Sequence, residues 1–250
     1  MQLDPTSALV VLSGGQDSTT CLFLSRTLYK HVHAITFDYG QRHRRELVAA
    51  VRVAAMANVE SHEMVVLPDG VLLSTSPLTD PNAELETYAD FKSMAKTIGK
   101  RIEVTFVPMR NAVFLMLAAN RAVALGCQTI IVGVCEEDNA NYPDCRKSFI
   151  ETAEKTVNSA LGLTWTGPDR LAVLAPLIDK TKADTVRLAR TLPGCTEALA
   201  YSHTCYAGAF PPCGKCHACV LRAEGFRAAN LPDPLLARVQ LNAEATNAVQ

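Results

Sequence analysis

A short polar loop near the N-terminus carries the residues best suited to chemistry. It spans residues 13–18, reads Ser-Gly-Gly-Gln-Asp-Ser, and directly follows an apolar run at residues 8–12. Glycines followed by a helix start would present backbone N–H groups to a phosphate. The loop lacks the Gly-Lys-Ser/Thr ending of the common phosphate-binding loop and offers hydroxyls and one carboxylate instead, which suits a pyrophosphate with a metal ion assisting. The candidate nucleotide-binding residues are Leu12, Ser13, Gly14, Gly15, Gln16, Asp17, Ser18, Thr19 and Thr20.

A second chemistry-bearing segment lies towards the end of the chain, where four cysteines follow the spacing Cys-x7-Cys-x2-Cys-x2-Cys. Two-residue gaps let successive thiolates turn onto one ion, and four sulfurs complete a tetrahedral zinc shell. Because that shell has no open position, we expect one structural zinc per chain, with His203 and His217 as neighbours of the ligands or surface residues. An iron–sulfur cluster and a redox Cys-x-x-Cys pair are the alternatives. The predicted metal ligands are Cys205, Cys213, Cys216 and Cys219.

Polar residues that follow later apolar runs are candidates for contacts with an acceptor substrate. Arg110 could hold a carboxylate or a phosphate with two hydrogen bonds, and Asp144 could accept the N–H groups of a guanine-like edge. Lys182 could neutralise charge on a transferring phosphoryl group, which would make it catalytic together with Asp17 and Arg110. For these residues, as for the first loop, a solvated or capped turn is the alternative. The other candidates for substrate binding are Tyr39, Arg42, Asn111 and Tyr142.

The elements that must position these residues alternate between apolar runs and helical patterns. Such alternation predicts a parallel sheet with helices on both faces, and polar loops beyond the carboxyl ends of its strands should converge on one site. Residues 68–100 are predicted to be a loop with one short helix, and residues 242–250 a fraying tail. Extended segments are predicted at residues 8–12, 33–37, 63–67, 104–107, 129–134 and 171–175. Helices are predicted at residues 19–29, 44–56, 111–125, 149–161 and 181–191.

Composition restricts the class of protein. The chain has 250 residues, of which 48% are apolar and 20% charged, and its formal net charge is −1. This near-neutral balance argues against broad nucleic-acid binding, and no apolar run is long enough for a membrane span. Nine cysteines without a visible export signal lead us to expect a reducing, cytoplasmic setting. We expect an α/β domain over residues 1–195, a zinc-binding segment over residues 196–250 packed on it, and a homodimer as the default assembly.

The motifs together resemble a known family. The first loop is similar to the pyrophosphate loop of the N-type ATP pyrophosphatases, which cleave ATP between its α and β phosphates. Combined with Tyr-Pro-Asp-Cys-Arg at residues 142–146 and the four-cysteine segment, it makes the chain resemble the 7-cyano-7-deazaguanine synthases. This resemblance implies a Rossmann-like, adenine nucleotide alpha hydrolase-like fold. The matching segments are residues 11–20, 39–47, 105–111, 133–146, 176–184 and 205–222.

The resemblance implies a carbon–nitrogen ligase of queuosine biosynthesis. Such an enzyme uses ATP to convert 7-carboxy-7-deazaguanine and ammonia to the nitrile, through adenylated intermediates and an amide. These small molecules would be its partners. Asp17 would help to place Mg²⁺, an ion that usually keeps several of its waters.

Two segments depart from the family pattern. Asn139-Ala140-Asn141, after Glu136-Glu137, stands where the family has Ser-Gly before Tyr-Pro-Asp, and Ile178-Asp179-Lys180-Thr181 replaces a tryptophan-bearing segment. Loss of a glycine restricts the backbone beside the acceptor. A related enzyme that stops at the amide or uses another acceptor is therefore one alternative. A zinc-knuckle module that binds nucleic acid is the alternative from another class.

Overall fold

The structure is a computed structural model that describes residues 2–136 and 141–247. Five parallel strands form one sheet in the order β3-β2-β1-β4-β5. This arrangement confirms the predicted parallel α/β architecture. The strands are β1 (Asp4–Val11), β2 (His31–Asp38), β3 (Ser61–Val66), β4 (Cys127–Val132) and β5 (Ala172–Leu174).

Helices cover both faces of this sheet. Within the described residues they are α1 (Gln16–Leu28), α2 (Arg45–Ala57), α3 (Phe91–Ile98), α4 (Arg110–Leu125), α5 (Lys147–Ala160), α6 (Lys182–Thr191), α7 (Cys195–Leu199), α8 (His217–Ala229) and α9 (Pro234–Asn247). In β1, Ala8 and Val10 belong to the core that includes α1, α2 and α6, whereas Leu9 belongs to the core that includes α4 and α5. Successive strand side chains point to opposite faces, so an apolar strand needs helices on both.

The central position of β1 creates the crevice for a ligand. The chain continues from β1 to β2 on one side and reaches β4 on the other, and loops diverge where the strand order reverses. Leu12 N donates to Ile35 O at 2.8 Å and extends the pairing of β1 with β2 up to the loop. After β4, Gly133 lies so close to the start of α1 that an added Cβ would be 2.8 Å from Ser18 N. The exits of β1 and β4 therefore meet at the first turn of α1.

The C-terminal segment packs directly on the sheet domain. Ala198 and Leu199 of α7 and Phe226 of α8 lie in the same core as α1. Gly225 of α8 lets α6 approach closely, because an added Cβ would lie 2.4 Å from Lys182 Cγ. Helix α8 therefore determines the space available to the side chain of Lys182.

Two predicted segments differ from the structure. The extended segment predicted at residues 104–107 is a turn, because Thr105 N donates to Glu103 Oε2 at 2.8 Å and Phe106 N donates to Glu103 O at 3.1 Å. The fraying tail predicted at residues 242–250 is helical as far as the end of α9 at Asn247. The remaining three positions are outside the described residues.

The family departure before Tyr142 is only partly visible. Glu137, Asn139 and Ala140 lie outside the described residues, so the expected difference in this loop stays a prediction. Asn141 adopts the left-handed conformation with φ of 62°, and its Nδ2 donates to Arg101 O at 2.7 Å. Among the described helices, none combines the length and the apolar character needed to cross a bilayer.

Candidate active site

A cavity of about 240 Å³ lies where the loops after β1, β2 and β4 meet. Its walls also include residues from the starts of α4 and α6 and from the C-terminal segment. The predicted site residues that line it are Leu12, Ser13, Gly15, Gln16, Asp17, Ser18, Tyr39, Arg110, Asn111, Tyr142, Asp144 and Lys182. Its lining within the described chain does not include Gly14, Thr19, Thr20 or Arg42.

The loop after β1 is held closed by its own hydroxyls. Ser13 Oγ lies 3.0 Å from Ser18 Oγ and accepts a hydrogen bond from Gly15 N at 3.2 Å. Gly15 is the N-cap of α1 and, having no side chain, leaves the first turn of the helix without a side-chain cap. The amides and the dipole at this helix start can therefore bind an anion in the cavity.

Three predicted nucleotide-binding residues support this loop from behind. Gly14 has φ of +87°, and an added Cβ would lie 2.2 Å from Glu46 O, so only glycine fits against α2. Thr19 Oγ1 donates to Gly15 O at 2.7 Å, and Thr20 Oγ1 donates to Gln16 O at 3.0 Å. The expectation that Thr19 and Thr20 offer hydroxyls to a phosphate is corrected, because both hydroxyls bond to the backbone of α1.

An ion pair joins the loop to α6. Lys182 Nζ donates to Asp17 Oδ2 at 2.7 Å, and the two side chains are 10% and 26% exposed, respectively. Lys182 is the first residue of α6, whose start is fixed by a capping box between Thr181 and Asp184. The second carboxylate oxygen of Asp17, Oδ1, is buried and has no hydrogen-bond partner in the part of the chain that the structure describes. That oxygen is available to a ligand or to a metal ion.

The opposite side of the cavity combines a guanidinium with a carboxylate. Arg110 Nη1 donates to Tyr39 Oη at 3.3 Å, and its guanidinium lies 5.9 Å from the centroid of that ring. Asn111 donates twice to Asp144, from N to Oδ2 at 3.3 Å and from Nδ2 to the carbonyl oxygen at 3.1 Å. Burial raises the pKa of Asp144, and the charge of Arg110 opposes that rise. This side can therefore recognise a carboxylate and a row of N–H donors.

Tyrosine rings flank these charged groups. Burial raises the pKa of Tyr39 to about 12 and also raises the pKa values of Tyr142 and Tyr206, so all three hydroxyls stay protonated near neutral pH. Tyr142 Oη donates to Glu103 Oε2 at 3.1 Å and also contacts Thr105 Oγ1. Because Glu103 fixes its hydroxyl, Tyr142 offers the cavity its ring.

Arg42 is the predicted substrate-binding residue that the structure places elsewhere. Its Nη2 donates to the carbonyl oxygens of Asp80 at 3.3 Å, Pro81 at 2.9 Å and Ala83 at 3.0 Å. The guanidinium therefore stabilises the loop before α3, and the expectation of a substrate contact is corrected.

Residues beyond the predicted catalytic and binding set also line the cavity. Among them are His43, Glu46, His203, Thr204, Tyr206 and His217. The three histidines are buried, so of the two positions expected for His203 and His217, beside the cysteine ligands or at the surface, the structure excludes the surface. Burial lowers the pKa values of His203 and His217, so both rings are neutral at physiological pH. His203 N donates to Gly14 O at 2.9 Å and so joins the C-terminal segment to the first loop.

Unsatisfied polar atoms are concentrated in this cavity. Seven buried side-chain nitrogen and oxygen atoms lack a hydrogen-bond partner within the described residues, and six of them belong to its lining residues. A buried polar group without a partner costs about 1–3 kcal/mol, so this concentration indicates a site for a polar ligand. The six atoms are Gln16 Nε2 and Oε1, Asp17 Oδ1, His43 Nδ1, His203 Nε2 and His217 Nδ1.

The four predicted cysteine ligands come together next to the cavity. Their sulfur atoms all lie within 4.8 Å of one another, a spacing that fits one metal ion. Cys213 N and Cys216 N each point to a neighbouring sulfur at 3.4 Å, and hydrogen bonds from Cys216 and Cys219 lower the pKa of Cys205. Four sulfurs can therefore bind one metal ion and leave no position for a substrate.

Comparison with known proteins identifies the family. The model of the family described as queuosine biosynthesis protein QueC matches residues 7–230. The chain is 48% identical over 236 residues to a 7-cyano-7-deazaguanine synthase of Laribacter hongkongensis, with 94% of this chain and 96% of that protein covered. A protein with the same name from Gloeobacter violaceus is 46% identical, with 91% of this chain and 94% of that protein covered. Another from Chromobacterium violaceum is 44% identical, with 97% of this chain and 98% of that protein covered. The chain therefore belongs to the QueC family of queuosine biosynthesis proteins.

Proposed function

We propose that this chain catalyses the ATP-dependent conversion of 7-carboxy-7-deazaguanine and ammonia to 7-cyano-7-deazaguanine. The observation that carries the proposal is one cavity that faces an anion-binding loop on one side and a guanidinium with a carboxylate on the other. Family membership and the name of a relative 48% identical support the substrate class. The chain is thus a ligase that forms carbon–nitrogen bonds in queuosine biosynthesis.

The loop over residues 13–18 binds the pyrophosphate part of ATP. Its open helix start offers amides to phosphate oxygens, and the unpartnered side chain of Gln16 adds a donor. Charge on the pyrophosphate grows as the bond between the α and β phosphates breaks. Fixed donors in a buried site stabilise that charge more strongly than water does.

Asp17 and Lys182 act on the same phosphates. Lys182 supplies a positive charge at the start of α6, held in place by Asp17 at 2.7 Å. Asp17 Oδ1 would help to hold Mg²⁺, and a bound ion would neutralise phosphate charge. Arg110 is the third catalytic residue, because it draws the acceptor carboxylate to the α phosphate.

The acceptor lies against Arg110 and Asp144. The guanidinium binds the carboxylate of the deazaguanine, and Asp144 accepts the N–H groups of its guanine-like edge. Asn111 holds Asp144 in place through its two hydrogen bonds. Tyr39 and Tyr142 enclose the ring system, since flat aromatic surfaces favour stacked or tilted neighbours.

Two activations of the acceptor account for a nitrile product. A carboxylate is a poor electrophile, so its oxygen first attacks the α phosphorus of ATP, and pyrophosphate leaves. Ammonia then adds to the carbonyl carbon, AMP leaves with that oxygen, and the amide forms. The amide oxygen attacks a second ATP, and loss of AMP together with the two N–H protons gives the nitrile. One anion-binding site can serve both activations.

Zinc is the metal that best fits the four-cysteine segment. Four thiolates within 4.8 Å of one another form a closed tetrahedral shell, which is typical of structural zinc sites. Bound zinc would fix the segment that carries His203, Tyr206 and His217. Its contribution is therefore to folding of one wall of the cavity.

The cellular setting follows from the same chemistry. Cysteines that stay reduced to bind zinc, together with the use of ATP, favour a reducing compartment, so we propose a cytoplasmic enzyme. Its partners are small molecules, with a homodimer as the default assembly. We treat residues 1–195 as the catalytic α/β domain and residues 196–250 as its zinc-binding segment.

Product analysis tests this proposal. The purified protein is incubated with ATP, ammonium and 7-carboxy-7-deazaguanine, and the expected products are AMP, pyrophosphate and the nitrile. Accumulation of the amide without nitrile would instead support the related enzyme that stops at the amide. Absence of nucleotide turnover together with salt-sensitive oligonucleotide binding would support a nucleic-acid binding module.

A further inference from the structure

The nitrogen chemistry of this cavity needs a proton acceptor. An N–H proton must leave when ammonia adds to the activated carbon and forms the amide. N–H protons must leave again when the activated amide is converted to the nitrile. Two carboxylates of the cavity already have partners: Asp17 pairs with Lys182, and Asp144 Oδ2 accepts a hydrogen bond from Asn111 N. Imidazole is the side chain best suited to accept a proton near neutral pH.

His43 differs from the other two histidines of the cavity. Its Nε2 lies 3.1 Å from Glu46 Oε1, and its Nδ1 is buried without a hydrogen-bond partner among the described residues. A carboxylate beside one ring nitrogen keeps the proton there and leaves the lone pair on the other. In the described chain, His203 and His217 have no carboxylate at ion-pair distance, and both flank the cysteine ligands.

Glu46 is itself fixed in place. Gln41 Nε2 donates to Glu46 Oε1 at 3.1 Å, and Gln41 Oε1 accepts from Tyr39 N at 2.9 Å. His43 is only 3% exposed, and the ring of Tyr206 lies 5.5 Å from its own. The loop after β2 and the first turn of α2 thus hold an oriented carboxylate–imidazole pair at the wall of the cavity.

We propose that His43 Nδ1 accepts the proton from the attacking nitrogen, with Glu46 as its positioning residue. This proposal rests on the proposed function. The lone pair of ammonia forms the new bond to the carbonyl carbon of the adenylated acid. The adduct nitrogen then transfers one proton to Nδ1 as the bond between carbon and the AMP oxygen breaks, and AMP leaves with that electron pair. The imidazolium later releases the proton to water.

A change of nucleophile tests this role. Near neutral pH almost all ammonia is protonated to ammonium. Hydroxylamine is largely unprotonated, and its adduct loses a proton readily to water. A proton acceptor is therefore needed far more for ammonia than for hydroxylamine. The rates of amide and hydroxamate formation are measured for wild type, His43→Asn and Glu46→Gln, with His33→Asn as a control outside the cavity.

His43→Asn keeps a polar atom near the position of Nδ1 but cannot take up the proton. We expect its ratio of hydroxamate rate to amide rate to rise about 100-fold above that of wild type. For Glu46→Gln we expect a rise of about 10-fold, and for His33→Asn no change in the ratio. Equal losses with both nucleophiles in His43→Asn would overturn the proposal. If that variant does not fold, an unchanged ratio in Glu46→Gln would overturn it.

A separate reaction distinguishes failure of this inference from failure of the proposed function. Exchange of labelled pyrophosphate into ATP, dependent on 7-carboxy-7-deazaguanine, reports adenylation without any nitrogen nucleophile. If wild type exchanges pyrophosphate into ATP but the variants show an unchanged ratio of hydroxamate rate to amide rate, only the role of His43 is refuted. Absence of exchange by wild type removes both proposals.

Discussion

One side of the cavity is a single contiguous segment, whereas the opposite side is assembled from residues far apart in sequence. The loop over residues 13–18 closes on itself through Ser13, Ser18 and the start of α1. Across the cavity, Tyr39, Arg110 and Tyr206 come from the end of β2, the start of α4 and the C-terminal segment. The first side depends on local geometry, and the second depends on tertiary packing next to a metal site. Perturbations should therefore affect the two sides differently.

Removal of the metal is expected to have the largest effect. A chelator, or Cys216→Ser, should abolish activity and loosen α8, because structural zinc sites contribute roughly 10 kcal/mol or more to folding of small domains. The sheet should keep its slow amide hydrogen exchange, since the strands pack in cores that do not include the cysteine ligands. Metal analysis should find about one zinc per chain. Full activity and an unchanged thermal transition in metal-free protein would contradict this account.

Asp17→Asn is expected to have the next largest effect. Loss of the carboxylate removes the partner of Lys182 and the contact for Mg²⁺, so AMP formation should fall roughly 100- to 1000-fold. The fold should remain intact, because the side chain of Asp17 is itself 26% exposed. Asp169→Asn, on the exposed surface, is the matched control. Near-normal turnover by Asp17→Asn would remove the assigned role of this residue.

Gly225→Ala tests whether α8 positions Lys182 beside the loop over residues 13–18. The new Cβ would lie 2.4 Å from Lys182 Cγ and displace the lysine from Asp17. Activity should fall about 10- to 100-fold, as expected for a misplacement of about an ångström. Stability should fall as well, because Lys182 Cβ and O would lie 3.1 and 3.3 Å from the new Cβ, so that α6 must shift by more than the helix preference of alanine can offset. Ala223→Val on the exposed face of α8 should leave activity unchanged, and an equal loss in both variants would contradict the argument.

Arg42→Ala should have the smallest effect on catalysis. Its three hydrogen bonds to carbonyl oxygens support the loop before α3, so unfolding free energy should fall by about 1–3 kcal/mol. Denaturant titration and steady-state kinetics at low temperature separate the two quantities. A large rise in KM for the deazaguanine, without loss of stability, would contradict this structural role and support a contact between Arg42 and the substrate.

The sequence predicted the contiguous side of the cavity better than the assembled side. Spacing alone identified the loop, because glycines and hydroxyls in one short segment act through local geometry. The same spacing could not show that the hydroxyls of Thr19 and Thr20 donate to carbonyl oxygens at the start of α1, because all residues of this segment are equally close to the loop in sequence.

Residues brought together by tertiary packing were harder to predict. Arg42 and His43 are neighbours in sequence, yet the arginine is drawn away by carbonyl groups of residues 80–83, a loop without any periodic pattern. His203 and His217 were assigned to the surroundings of the cysteines because nothing in their local sequence indicates a cavity. Their burial follows from packing of the C-terminal segment on the first loop, including the bond from His203 N to Gly14 O.

Transfer of oxygen from the acceptor to AMP tests the central claim most directly. The measurement uses 7-carboxy-7-deazaguanine with both carboxylate oxygens labelled with oxygen-18, and mass spectrometry of the AMP and pyrophosphate produced with ammonium and ATP. If the first loop binds the departing pyrophosphate while the acceptor attacks the α phosphorus, the label appears in AMP and pyrophosphate carries none. Label in pyrophosphate or phosphate, or nitrile formation with unlabelled AMP, would contradict the account.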